Sequence, residues 1–120
     1  MKDWTHQQQR FQRDNVPTRL GNIASNLSHI KSFLDEPSNS ELVVNIVEES
    51  KFLIEWTAPD MDIDQAAALV DIQRSLSRWQ RYWNHIWADA ESRNQVAQQA
   101  KQASELVLSM SGLLSSISVQ

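Results

Sequence analysis

Leu69-Val70-Asp71-Ile72-Gln73-Arg74-Ser75-Leu76-Ser77-Arg78-Trp79-Gln80-Arg81-Tyr82-Trp83-Asn84-His85-Ile86-Trp87 is the stretch on which the fold turns. Its apolar positions Leu69, Ile72, Leu76, Trp79, Trp83 and Ile86 recur in steps of three and four. At about 100° per residue, that spacing keeps them on one side of an α-helix. Arg74, Arg78, Arg81 and His85 fall roughly opposite. One helix thus carries an aromatic face and a basic face, with the period of a packed bundle helix rather than the alternation of a strand.

The composition extends the helical reading to the rest of the chain. Its 120 residues include two glycines and three prolines, so helix breakers are scarce, while Gln, Ser, Ala, Leu and Glu dominate. This length suits one domain, burying about two-thirds of the unfolded surface. The absence of cysteine removes disulfide and thiol chemistry and fits a reducing compartment. The first ten residues lack a secretory hydrophobic segment, and the longest apolar run, 66–70, is far too short to cross a bilayer. A cytoplasmic protein without membrane contact is expected. The net charge of −4 argues against general affinity for nucleic acid.

Working outward, Pro17 suits a first helical position, and Leu20, Ile23, Leu27, Ile30 and Leu34 follow as one apolar stripe. Pro37 stops that helix, and Ser38 with Glu41 has the form of a capping box for a second, whose core set is Leu42, Val43, Ile46, Leu53, Ile54 and Trp56. Pro59 breaks the chain again, with Asp60, Asp62 and Asp64 placed where a helix N-terminus favours negative charge. No glycine or proline lies between Pro59 and Gly112, so one helix of about fifty residues is formally open. Against it, the apolar pattern lapses across 89–95 and restarts at Val96, Ala100, Ala103, Val107 and Met110, with Asp89 as a cap. Gly112 then stands at a C′ position.

These signals predict helices near 17–34, 39–57, 61–87 and 90–111. Short connections make each antiparallel to the one before, giving an all-α, up-down antiparallel four-helix bundle. Residues 1–16 form a polar leader with room for a short helix around Trp4 and Phe11, residues 17–112 the bundle domain, and residues 113–120 a Ser-rich tail. The helix lengths are uneven. At 1.5 Å per residue the first two span about 27 and 28 Å, the third about 40 Å and the fourth about 33 Å. The excess of the third should project beyond the turn at 35–39, carrying Trp83, Ile86 and Trp87. Such an end is either ordinary core, covered by tilt or fraying, or an interface anchored by indoles.

Sites for chemistry are few. His29 lies off the apolar stripe, as an exposed histidine of a phosphorelay-type bundle would. The positions three and four residues on hold Ser32 and Phe33, where histidine phosphotransfer domains have a lysine and a glycine, and Lys31 lies about 200° round the helix. His85 and Asp89 could give a metal two ligands, which do not close a site. Glu48 and Glu49 point about 100° apart. No nucleophile elbow or phosphate-binding glycine loop is present. No enzyme activity, cofactor or metal is therefore expected.

Residues 49–59, the run from Arg78-Trp79 to Ile86-Trp87 and the closing Met110-Ser111-Gly112-Leu113-Leu114 resemble small helical proteins of cyanobacteria. The resemblance spans roughly residues 17–114 and implies a compact helical domain in a bacterial cytosol, without an activity, cofactor or catalytic residue to carry over. The expectation is a non-enzymatic interaction or regulatory protein. It would bind itself, as a homodimer, or a protein partner through Trp83, Ile86 and Trp87, with Arg74, Arg78 and Arg81 orienting acidic groups. A phosphorelay-type signalling domain using His29 is the alternative.

Overall fold

The computed structural model describes residues 3–112. They form six α-helices: α1 (Thr5–Gln12), α2 (Val16–Phe33), α3 (Ser40–Thr57), α4 (Ile63–Arg81), α5 (Trp83–Ala88) and α6 (Ala90–Met110). Short 3-10 turns at Pro37–Asn39 and Ala58–Asp60 flank α3, and no strand occurs among the described residues. No described helix is long and apolar enough to cross a membrane.

Three helix starts are fixed by side chains that replace missing backbone partners. Asn15 accepts from the Thr18 N–H at 2.9 Å, Asp62 from Gln65 at 2.9 Å and Asp89 from Ser92 at 3.1 Å. At the far end of α6, Gly112 takes φ 79° and its N–H donates to the Ser109 carbonyl. Nothing lies within 4 Å of where its Cβ would be. The need there is for a left-handed backbone, not for space.

The α2 stripe Leu20, Ile23, Leu27, Ile30 and Leu34 is almost wholly buried. This helix runs against both α3 and α6, while α4 packs chiefly on α3. Val43, Val47, Leu53 and Ile54 meet it from α3, Leu69, Ile72, Leu76 and Trp79 come from α4, and Val96, Ala100 and Val107 from α6. Small α6 residues such as Ala97 and Ala100 allow close approach to α2. There Ser104 donates to the Ala24 carbonyl at 2.8 Å.

Three sequence expectations are corrected. The expected capping box does not form: Ser38 lies in the 3-10 turn and its N–H donates to Glu36 at 3.4 Å, while α3 begins two residues later. Pro37 starts that turn, and the turn uses up the residues the box would have needed. Leu42 is 44% exposed rather than core, because α3 turns Val43 and Val47 inward and leaves Leu42 on the rim.

The largest correction is that the helix expected over 61–87 is two helices, and Ile86, expected on a projecting end, is buried. Tyr82 leaves helical geometry at φ −106°, ψ 22°, and the ladder resumes when the Ile86 N–H donates to the Tyr82 carbonyl. That backbone region is open to residues other than glycine. A straight continuation would carry Ile86 past its neighbours. The bend lays α5 along α6 and leaves Ile86 only 7% exposed. Burying one isoleucine is worth about 1.5–3 kcal/mol, more than the modest cost of one bent residue. At six residues, α5 is too short to stand without such packing.

Candidate partner-binding face on α4 and α5

The three nearby tryptophans have different surroundings. Trp79 is 3% exposed and donates from Nε1 to Gln99 Oε1 at 3.2 Å, tying α4 to α6. Trp83 is half-buried and donates to Ser40 Oγ at 3.1 Å, reaching the first residue of α3. It also lines a small recess with Val44, Val47 and Gln80. Trp87 stacks on Trp83, with ring centroids 5.3 Å apart and planes at 27°. The Arg93 guanidinium sits 5.7 Å from the Trp87 ring centroid and also donates to the Trp87 carbonyl. Neighbours within the chain therefore occupy part of both indoles, each half-buried, and Ile86 between them in sequence is in the core.

The arginines behave otherwise. Arg74, Arg78 and Arg81 are all exposed. Arg74 makes only a 3.8 Å contact with Asp71, both side chains being about three-quarters exposed, which is worth little in water. Among the described residues neither Arg78 nor Arg81 forms an ion pair. The Arg81 guanidinium lies 5.7 Å from the Tyr82 ring centroid, and Tyr82 is 52% exposed. Arg74, Ser77, Arg78, Arg81 and Tyr82 line one shallow recess. Arg78 and Tyr82 also border a second, continued by His85, Ser92, Gln95 and Gln99 between α4 and α6.

The structure thus gathers the three arginines with Tyr82, and His85 with Arg78 and Tyr82 in the second recess, but gathers none of the arginines with Trp83, whose recess faces α3. The groove between α4 and α6 is rich in donors. Arg78, Gln95 and Gln99 line it, each carrying side-chain N–H groups, and the Gln99 oxygen is already taken by Trp79. Tyr82, at the break between α4 and α5, is exposed and lines this groove beside Arg78. Nothing in the periodicity marked Tyr82 as the pivot. At the groove's end Ser92 hydrogen bonds, by hydroxyl and N–H, hold the Asp89 carboxyl below its ordinary value, with a smaller lowering from His85.

The remaining sequence candidates stay apart. His29 is exposed and stacks on Phe33, with ring centroids 5.6 Å apart. No group of three or more metal-ligating residues occurs among the described residues. Sequence reasoning passed over Arg19, which is 7% exposed inside the N-terminal half of the molecule. Its Nη1 donates to Asp60 Oδ2 at 2.8 Å and to the Trp56 carbonyl at 3.4 Å, and its Nε to the Asp14 carbonyl at 3.0 Å. This one side chain pins α2, the end of α3 and the link after α1. Its position beside Leu20 gave no sign of burial, since its partners lie on other elements. No protein-family model, no curated protein and no solved structure matches the chain.

Proposed function

We propose that this protein is a non-enzymatic helical interaction protein of the cytoplasm that captures a carboxylate-bearing surface, on another protein or on a second copy of itself. Its binding face is the groove bordered by Arg74, Arg78, Arg81, Tyr82 and His85. The frame is read as an up-down bundle of α2, α3, α4 and α6, with α1 and α5 as short additions. Arg78 and Arg81 carry the reading: they are exposed, adjacent to an exposed tyrosine, and without an acidic partner among the described residues. Unpaired guanidinium groups bind carboxylates in bidentate fashion, and Arg and Tyr are enriched among interface anchors. Trp83 and Trp87 enter this reading as the rigid support behind the groove, with Ile86 in the core.

The test is sedimentation equilibrium from micromolar to millimolar concentration, combined with fluorescence anisotropy of a labelled poly-glutamate peptide at low and high salt. The expected result is self-association or peptide binding that weakens as salt rises and is lost in the double variant Arg78→Glu, Arg81→Glu. A chain that stays monomeric and leaves the peptide free at low salt would overturn the proposal.

A further inference from the structure

A cleft of about 590 Å³ lies away from that face, where α1 meets the end of α3. Three rings line it. Trp4 stacks on Phe52 with centroids 4.6 Å apart and meets Trp56 edge-on at 6.2 Å, while Phe52 and Trp56 are 5.7 Å apart. Glu55 and Asp60 line the same cleft, with Thr5, Gln8 and Gln12 adding neutral polar groups and no Lys or Arg among the described lining residues. The charge can be counted. Arg19 lies behind the cleft and is paired with Asp60 at 2.8 Å, while Glu55 is exposed and makes no ion pair among the described residues. Lys51, one helical turn before Glu55, donates instead to Gln80 at 2.7 Å. Among the described residues, two carboxylates against one guanidinium leave one negative charge beside three aromatic rings.

We propose that this cleft binds an organic monocation, an alkylated ammonium group held over the Trp4, Phe52 and Trp56 rings with Glu55 as its counter-charge. Aromatic faces attract cations electrostatically, and alkylated ammonium groups are weakly hydrated enough to leave water for them. A metal ion would instead want several converging oxygen ligands, and an anion would meet two carboxylates with no Lys or Arg among the described lining residues. The cleft is within the size range of small-ligand sites. The same ammonium chemistry is presented by a free small molecule and by a methylated lysine on a peptide.

The five indole N–H signals of the protein's tryptophans make the test local. Choline, a short peptide containing trimethyllysine, and the neutral isostere of choline with a tert-butyl group in place of trimethylammonium are each titrated and followed by ¹H–¹⁵N spectra. Choline and the peptide should shift Trp4 and Trp56 saturably while leaving Trp79, Trp83 and Trp87 in place. The isostere should bind at least tenfold more weakly. Tighter binding of the peptide would identify a protein-borne cation, and tighter binding of choline a free one. Glu55→Gln, an exposed change that leaves the rings intact, should weaken the cation about five- to tenfold without altering the isostere. Equal binding of cation and isostere, no shift at Trp4 and Trp56, or an unchanged affinity in Glu55→Gln would each overturn the proposal.

Discussion

The two ends of α3 are each closed by packed aromatic rings with a charged side chain alongside, an arginine at its start and carboxylates at its close. At its start, Ser40 accepts from the Trp83 indole, Trp87 stacks on Trp83, and Arg93 lies on Trp87. At its close, Trp56 is packed by Trp4, Phe52 and Phe11, with Glu55 and Asp60 alongside. Each cluster includes a short helix or its flank, α5 of six residues at one end and α1 of eight at the other. Where the long helices run out of partners, a short segment folds back with tryptophan, because indoles give the most buried area per residue ordered. The net charge of −4 is therefore an average. It conceals an arginine-bearing face on α4 and a carboxylate-bearing cleft beside α1, which is why the two proposed ligands have opposite charge.

The comparison breaks first on burial. Trp79 and Trp56 are 3% and 7% exposed, whereas Trp83 is only half-buried. Trp79→Ala and Trp56→Ala should each lower the unfolding free energy by about 3–5 kcal/mol, with Trp83→Ala costing less. Chemical denaturation of the three variants measures this. A Trp83→Ala cost equal to that of Trp79→Ala would make the α5 end as much core as the middle of α4.

A smaller effect separates the ends by how they are fastened. The acidic end depends on a buried charge, Arg19, which joins Asp14, Trp56 and Asp60. The α5 end depends on the Trp83–Ser40 hydrogen bond, the Trp83–Trp87 stack and Arg93, which is half-buried against Trp87. Arg19→Met keeps much of the buried stem but removes the guanidinium, and should cost about 2–3 kcal/mol, since hydrogen bonds to charged groups exceed neutral ones. Hydrogen exchange should show α1 and the end of α3 losing protection while α5 keeps its own. Equal loss at both ends would mean that the pin holds the whole bundle rather than one end.

The features legible in the sequence were those written locally. The α2 and α4 stripes, the Asp89 cap and the Gly112 position depend on residues within a few places of one another, and so does the boundary between α5 and α6. Three others were settled by distant partners. The bend at Tyr82 follows from the reach of α3 and the presence of α6, because no glycine or proline marks it. Arg19 is buried because a carboxylate 41 residues on meets it. Leu42 is exposed because the rotation of α3 is decided by Val43 and Val47 together, and periodicity did not distinguish neighbouring apolar positions. For the candidate sites, Arg74, Arg78 and Arg81 could be read as a stripe. Their association with Tyr82, and the meeting of Trp4 with Phe52 and Trp56, required knowing which elements touch.

The smallest effect concerns the corner that seats α5. Asp89 ends α5 and caps α6, taking the Ser92 N–H at 3.1 Å and hydroxyl at 2.7 Å. Those bonds hold its carboxyl below the ordinary 3.8, with His85 adding a smaller Coulombic pull in the same direction. A carboxyl with a lowered pKa in the folded state contributes stability that is fully present above its unfolded value and is lost as pH falls through the folded one. Asp89→Asn keeps a capping side chain but cannot titrate. Wild type should therefore be more stable than Asp89→Asn at neutral pH, and the gap should narrow below pH 3.8 and close once Asp89 is protonated in both states. Paired urea titrations across that range measure the gap, and the Trp83 and Trp87 indole signals should report the change before those of Trp4 and Trp56. A gap that persists undiminished into acid would show that Asp89 acts through its shape alone, leaving the α5 corner no more sensitive to charge than the stacked rings it seats.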